Sequence, residues 1–147
     1  MKSHNSLPFG AVKWLELLRS GKFHESTGSY LCQHDGSIWR WSVFGVLCEA
    51  GAKSGICTQS HDGGSVMRYA TEEDTVQRFA PRSVSHWAGL DSQFGDFELD
   101  LSSGSRRRFS LRELGQRGFT HSELAEIIEA APGGLFTAGA VTGRSSV

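Results

Sequence analysis

Cys32-Gln33-His34-Asp35-Gly36-Ser37-Ile38-Trp39-Arg40-Trp41 recurs in outline as Cys57-Thr58-Gln59-Ser60-His61-Asp62-Gly63-Gly64-Ser65-Val66-Met67-Arg68-Tyr69. In each copy an Asp-Gly step is flanked by strand-favouring residues: Tyr30, Leu31, Ile38, Trp39 and Trp41 in the first, Ile56, Val66 and Tyr69 in the second. Asp and Gly tolerate the positive backbone angles of tight hairpin turns, so the pair predicts two similar antiparallel hairpins. Between them, Val43, Val46 and Leu47 mark a helical face whose flank is filled by Phe44 and Cys48, an apolar rod that belongs at the centre of the fold and ends at Gly51. Gly45 within the rod costs about 1 kcal/mol of helix propensity relative to alanine, which predicts close approach of another backbone there.

Outward from this centre the pattern stays mixed. Ala11, Trp14, Leu15 and Leu18 form an i, i+3, i+4, i+7 stripe opened by Pro8 and closed by Gly21, which makes Trp14 a core anchor. Pro81, Val84, Trp87 and Ala88 read as a short helix ended by Gly89, after a polar connection over 71–74. Phe97, Leu99 and Leu101 alternate with Asp96, Glu98 and Asp100, and a turn over 102–105 leads to Arg106, Arg107, Arg108 and Phe109. Placing Phe109 on the apolar face with Leu99 sets Asp100 opposite Arg108 in the expected hairpin. Ser110-Leu111-Arg112-Glu113 and Thr120-His121-Ser122-Glu123 have capping-box spacing, and Leu124, Ile127, Ile128 and Ala131 stripe a last helix before Pro132-Gly133-Gly134. The reading is α+β: one compact domain over 1–136, an antiparallel hairpin-built sheet packed on several short helices, with 137–147 a loosely held tail.

The 147 residues are 38% hydrophobic with a formal net charge of -1, enough for one core and far from the composition of disorder. No apolar run exceeds Val43–Cys48 and residues 1–6 carry no hydrophobic segment, so neither a membrane span nor a secretory signal is expected, and a cytoplasmic location is. Cys32, Cys48 and Cys57, an odd set with wide spacing, read as reduced thiols.

Several chemistries can be weighed. Cys32 with His34 and Cys57 with His61 would each share a strand face, but the spacing matches no zinc-ligand pattern and His-Asp-Gly suits a turn, so no metal or other cofactor is expected. Gly51-Ala52-Lys53-Ser54 lacks the glycine directly before lysine that a phosphate loop needs, and no serine occupies a glycine-flanked nucleophile elbow. Arg106, Arg107, Arg108, Arg112 and Arg117, interleaved with Phe109 and Phe119, form a basic run suited to nucleic acid or to the phosphates of a nucleotide. Its neighbours Asp91, Asp96, Glu98 and Asp100 are acidic, however, and the chain lacks the broad positive charge of a duplex binder.

Trp14 with Leu18-Arg19-Ser20-Gly21-Lys22-Phe23, Asp35-Gly36, Phe44-Gly45-Val46-Leu47-Cys48-Glu49, Pro81, Val84, Trp87-Ala88-Gly89-Leu90, Leu114 and Gly118-Phe119-Thr120 leading into Leu124-Ala125-Glu126-Ile127-Ile128-Glu129 occur in one order over about residues 12–130. This set resembles a family of small, uncharacterised proteins of tailed phages and prophages. Members often carry two cysteines just before the helix that contains Cys48; here Ser42 and Val43 stand there. The resemblance implies a phage accessory protein in the host cytoplasm and no specific activity. The expectation built on it is a non-enzymatic binding protein that counters bacterial defence, an anti-CRISPR-like inhibitor of an effector protein. The expected contact surface is Trp39, Arg40, Trp41, Arg106, Arg107 and Arg108, because Trp and Arg dominate binding hot spots. The alternatives are a sponge for a nucleotide immune signal and a nucleic-acid-binding phage regulator. An exposed edge strand would also let two copies pair.

Overall fold

Ser42 starts the helix on which the other elements pack. Its hydroxyl accepts the Gly45 N–H at 3.1 Å, and α2 (Val43–Lys53) follows with Val43 through Cys48 buried. The computed structural model describes residues 6–61 and 63–141; Asp62 of the second Asp-Gly turn, and 142–147 of the expected tail, lie outside the described residues. The close approach expected at Gly45 is present: a Cβ there would lie 2.7 Å from the Leu31 carbonyl carbon and closer still to its oxygen. That oxygen also receives the Ser42 N–H at 2.9 Å, so the backbone before the first hairpin is pressed onto the start of the helix. Gly51 does not end α2 as expected. It lies inside the helix, where a side chain would press on Cys57 Sγ and Val84, each 3.4 Å from a Cβ, and the turn out is made at Gly55 with φ +78°.

Against α2 packs α1 (Phe9–Leu18), entered from Pro8, its Trp14 fully buried and donating its indole N–H to the Val43 carbonyl at 2.9 Å. The first hairpin, β1 (Cys32–His34) and β2 (Trp39–Trp41), pairs Cys32 with Trp41 and His34 with Trp39. The second, β3 (Thr58–Ser60) and β4 (Arg68–Ala70), gains a third strand, β5 (Thr75–Val76), that the sequence pattern did not suggest. Met67 N–H to Cys32 O at 3.0 Å and His34 N–H to Ser65 O at 2.8 Å join the two hairpins. Then come α3 (Arg82–Trp87), the hairpin β6 (Asp96–Asp100) and β7 (Arg106–Ser110), α4 (Leu111–Gln116) and α5 (His121–Ala130). Among the described residues the protein is a single α+β domain of five helices with antiparallel sheets of two, three and two strands. Ser110 caps α4, and Thr120 with Glu123 forms the expected capping box on α5.

The charged hairpin departs from expectation in two ways. Its turn is three residues, with Leu101 N–H bonded to Ser105 O at 2.7 Å and Gly104 at φ +87°, one residue shorter than the expected 102–105. Asp100 therefore faces Arg106, with Nε to Oδ1 at 3.1 Å, while Arg108 reaches Asp96 at 3.2 Å. The apolar face is also only partly used: Phe97 is buried and stacks on Phe109 at 5.6 Å, but Leu99 and Leu101 are 43% and 37% exposed because the tip projects past the core. Of the segment read as tail, Thr137 N–H donates to Gly89 O at 2.9 Å.

Gly45→Ala is expected to destabilise the protein by about 1–3 kcal/mol, since the clash is with backbone that cannot step aside and outweighs the gain of about 1 kcal/mol in helix propensity. Gly115→Ala on α4, whose Cβ would meet nothing nearer than 3.7 Å, is expected to stabilise by about 0.5–1 kcal/mol. Urea unfolding of the two variants checks the opposite signs.

Candidate functional site

The strand that carries Trp39, Arg40 and Trp41 is tied inward. Arg40 Nε pairs with Asp35 at 2.6 Å and its Nη1 donates to the Glu25 carbonyl at 3.3 Å. The Arg40 guanidinium, with the Ile38 and Ser37 amides, holds the Asp35 carboxyl well below the usual carboxylate range. Trp41 stacks edge-on against Phe23 at 5.0 Å, and its indole N–H donates to Glu49 at 3.4 Å. The same Glu49 oxygen accepts from Tyr69 Oη at 2.6 Å and from Gln59 Nε2. Trp39 is met edge-on by the rings of His34 and His61, at 5.1 and 4.9 Å. On the other hairpin Arg106 and Arg108 are answered by acids of β6, and Arg107 lies over the Phe109 ring at 5.2 Å. The two groups of expected contact residues lie on separate sheets.

The thiols are buried. Desolvation, assisted by the Glu49 charge, pushes Cys32 up to about 12 and Cys57 up to about 11, and burial raises Cys48 as well. Thiols so raised stay protonated and are weak ligands and nucleophiles. His34 Nδ1 accepts the Gly36 N–H at 3.1 Å, closing the turn. Among the described residues no group of three or more His, Cys, Asp or Glu side chains is placed to hold a metal ion.

A different set of residues converges where three connecting segments meet. Leu31 N–H donates to Gln77 O at 2.8 Å, which lays 77–79 beside Tyr30. Arg78 then covers the Tyr30 ring at 5.0 Å and bonds its hydroxyl at 3.3 Å. From the other side, Leu111 N–H to Gly95 O at 3.0 Å and Arg112 N–H to Phe94 O at 3.3 Å seat the 93–95 turn on the start of α4, and Arg112 covers the Phe94 ring at 4.8 Å. Gly95, at φ +68°, is required: a Cβ would lie 2.8 Å from Leu111 Cδ1. Arg78 and Arg112 line one notch together with Ser26, Ser29 and Ser42, with about 10 Å³ of free volume, room for one water-sized group.

Phe79 and Gln93 line both this notch and an adjoining cleft of about 430 Å³. The cleft is also walled by Asp74, Arg82, Ser85, His86, Asp91 and Ser92. Phe79, 40% exposed, is the ridge between the two. Phe9 is 62% exposed, with Lys13 over its ring and Trp87 against its edge. Guanidinium groups held over aromatic rings keep N–H donors available to anions, and an exposed ring beside them offers a stacking face.

The arginine run included Arg112, and Asp91 stood among its acidic neighbours, but nothing in the spacing joined either to Arg78, Phe79 or Ser85. The available local signal was the alternation Arg78-Phe79 and Gln93-Phe94, a cation or amide beside an aromatic in a connecting segment; contact between them is made only by the fold.

The anchoring of β2 ends at α5. Glu25 Oε2 accepts the His121 N–H at 3.0 Å, so a carboxylate sits at the positive end of that helix. Burial would raise the Glu25 carboxyl, but this amide and the neighbouring charges bring it below its ordinary value. His121 is 4% exposed and burial holds it below its ordinary value; among the described residues neither ring nitrogen has a well-aligned partner, though Glu25 and the Trp41 carbonyl favour a proton.

The family model described as Domain of unknown function (DUF8296) matches residues 11–132, and the chain belongs to that family. No curated protein and no solved structure matches it. Among the described residues no helix is long and apolar enough to cross a membrane.

Because His121 is held below its ordinary pKa of 6.5, the unfolded chain takes the proton first. The stability of the neutral buried ring is complete above about pH 6.5 and is lost as pH falls below it. Unfolding free energy measured in urea from about pH 7 to about pH 5.5 is expected to decline, and His121→Leu to remove much of that slope.

Proposed function

We propose that the protein is a binding module for a nucleotide, held without being transformed, in the two-lobed depression around Phe79. The carrying observation is that two arginines placed over aromatic rings share a notch the size of one phosphoryl oxygen, beside an exposed phenyl ring and a cleft of about 430 Å³. That volume is within the span usual for small-molecule sites, about 300–1,000 Å³. A phosphate oxygen enters between Arg78 and Arg112, the base lies on Phe79, and the remainder occupies the cleft. In the phage setting that the family resemblance implies, a host-cytoplasmic protein of this kind acts as a sponge for a nucleotide immune signal.

Capture of a defence effector is a second reading, favoured by the exposed Leu99 and Leu101 at the β6–β7 tip beside Arg107. Apolar groups rimmed by a cation suit a protein contact. It is the reading closest to an anti-CRISPR-like inhibitor, and Leu99→Asp with Leu101→Asp abolishes capture if it holds, while leaving nucleotide binding intact.

Isothermal titration of the full chain with ribonucleoside monophosphates is expected to show saturable binding, weakened at least tenfold by Phe79→Ala and by Arg112→Ala. Chromatography after incubation is expected to return the nucleotide unaltered at fixed stoichiometry. Absence of binding at millimolar nucleotide overturns the proposal; multiple turnover overturns its non-enzymatic part.

A further inference from the structure

Resting on the nucleotide reading, we infer that the cleft is a ribose-diol site and that the protein discriminates ribonucleotides from their 2′-deoxy counterparts. The two lobes differ in charge. Among the described residues the notch is lined by Arg78 and Arg112 with no acidic residue, whereas the cleft carries Asp74 and Asp91, offset by Arg82, with His86 beside them. A phosphate therefore favours the notch, and the cleft favours a group that donates hydrogen bonds. A carboxylate at neutral pH only accepts hydrogen bonds, so it recognises hydroxyl or N–H groups.

A second observation is independent of the carboxylates. Ser85 lines the same cleft, is 5% exposed, and its Oγ has no hydrogen-bond partner among the described residues. A buried hydroxyl left without a partner costs about 1–3 kcal/mol; the Oγ is closed from solvent as it stands, and a turn about its Cα–Cβ bond that brings it to the cleft wall lets a ligand hydroxyl relieve that cost. Ser85 is set by α3, while Asp91 is held by its own N–H bonded to Leu135 O at 3.0 Å, so both are on anchored backbone. The ligand's order across the site follows: phosphate between the arginines, base on Phe79, and the vicinal hydroxyls of the sugar among Ser85, Asp91 and Asp74.

The test is titration of the full chain with guanosine and adenosine 5′-monophosphates and their 2′-deoxy counterparts. The ribo forms are expected to bind at least tenfold tighter, and Asp91→Ala, at an exposed position, to reduce that ratio below threefold, with folding of the variant confirmed by its melting curve. Ribo and deoxy forms binding alike overturns the diol site and leaves the nucleotide reading standing. Failure of all four to bind removes both. A ratio undiminished in Asp91→Ala and in Ser85→Ala assigns the discrimination elsewhere and overturns the inference.

Discussion

The Leu31 carbonyl is the point on which the rest of the architecture depends. It receives the Ser42 N–H at the start of α2 and fills the place where any residue but glycine at 45 would carry a Cβ. The contact works only because α2 is apolar nearly all round and can be surrounded, while Ser42 supplies the cap that lets the helix begin in the interior. From the same residue the Leu31 N–H reaches Gln77, and that bond aligns the segment bearing Arg78 and Phe79. The candidate site is thus two hydrogen bonds from the tightest packing in the fold. Loops that carry function need rigid support, and here the backbone support is continuous from the core helix to the Phe79 ridge.

Arginine is used in two physically different ways. On β7, Arg106 and Arg108 face acids of β6, exposed pairs that hold register but contribute little to stability. Their charge is met locally, so the basic run has little field left to attract a polyanion. Arg78 and Arg112 are instead positioned by ring faces, Tyr30 and Phe94, which orient a guanidinium without consuming its charge. The same residue type is a structural cross-link in one hairpin and lines an open notch in the other place, and the difference lies in what stands opposite it.

That distinction explains what was legible in the sequence. Helix starts at Pro8, Ser110 and Thr120, the central rod and the glycine contact could be read because each is a local rule written within a few residues. The β6–β7 register differs from the expected one because the turn closes between Leu101 and Ser105, with Gly104 at positive φ, which moves every β7 partner by two residues. Leu99 and Leu101 satisfied the alternation of a buried face, but alternation states which side of a strand is apolar and not how far the core extends along it. Trp41 could be recognised as important without its role being visible, since the partner that claims its indole, Glu49, becomes its neighbour only when α2 packs on the hairpin.

The site itself had no sequence signature for a reason general to small mixed folds. With sheets of two and three short strands, few side chains can be presented on a regular surface, and the elements must be joined by many connecting segments. Where the segments around residues 26–30, 77–79 and 91–95 come together, their side chains are constrained by backbone bonds to neighbours but are not committed to a ladder or a helix face. Such a seam can hold charged groups and an exposed ring next to one another, because the core is built from other side chains, those of α1, α2, α4 and α5 with Leu31, Tyr69, Val84 and Phe97. Its residues are remote in sequence and ordinary in type, so periodicity cannot detect it; the three-dimensional meeting of Tyr30, Arg78, Phe79, Phe94 and Arg112 is what gives these side chains a shared chemistry.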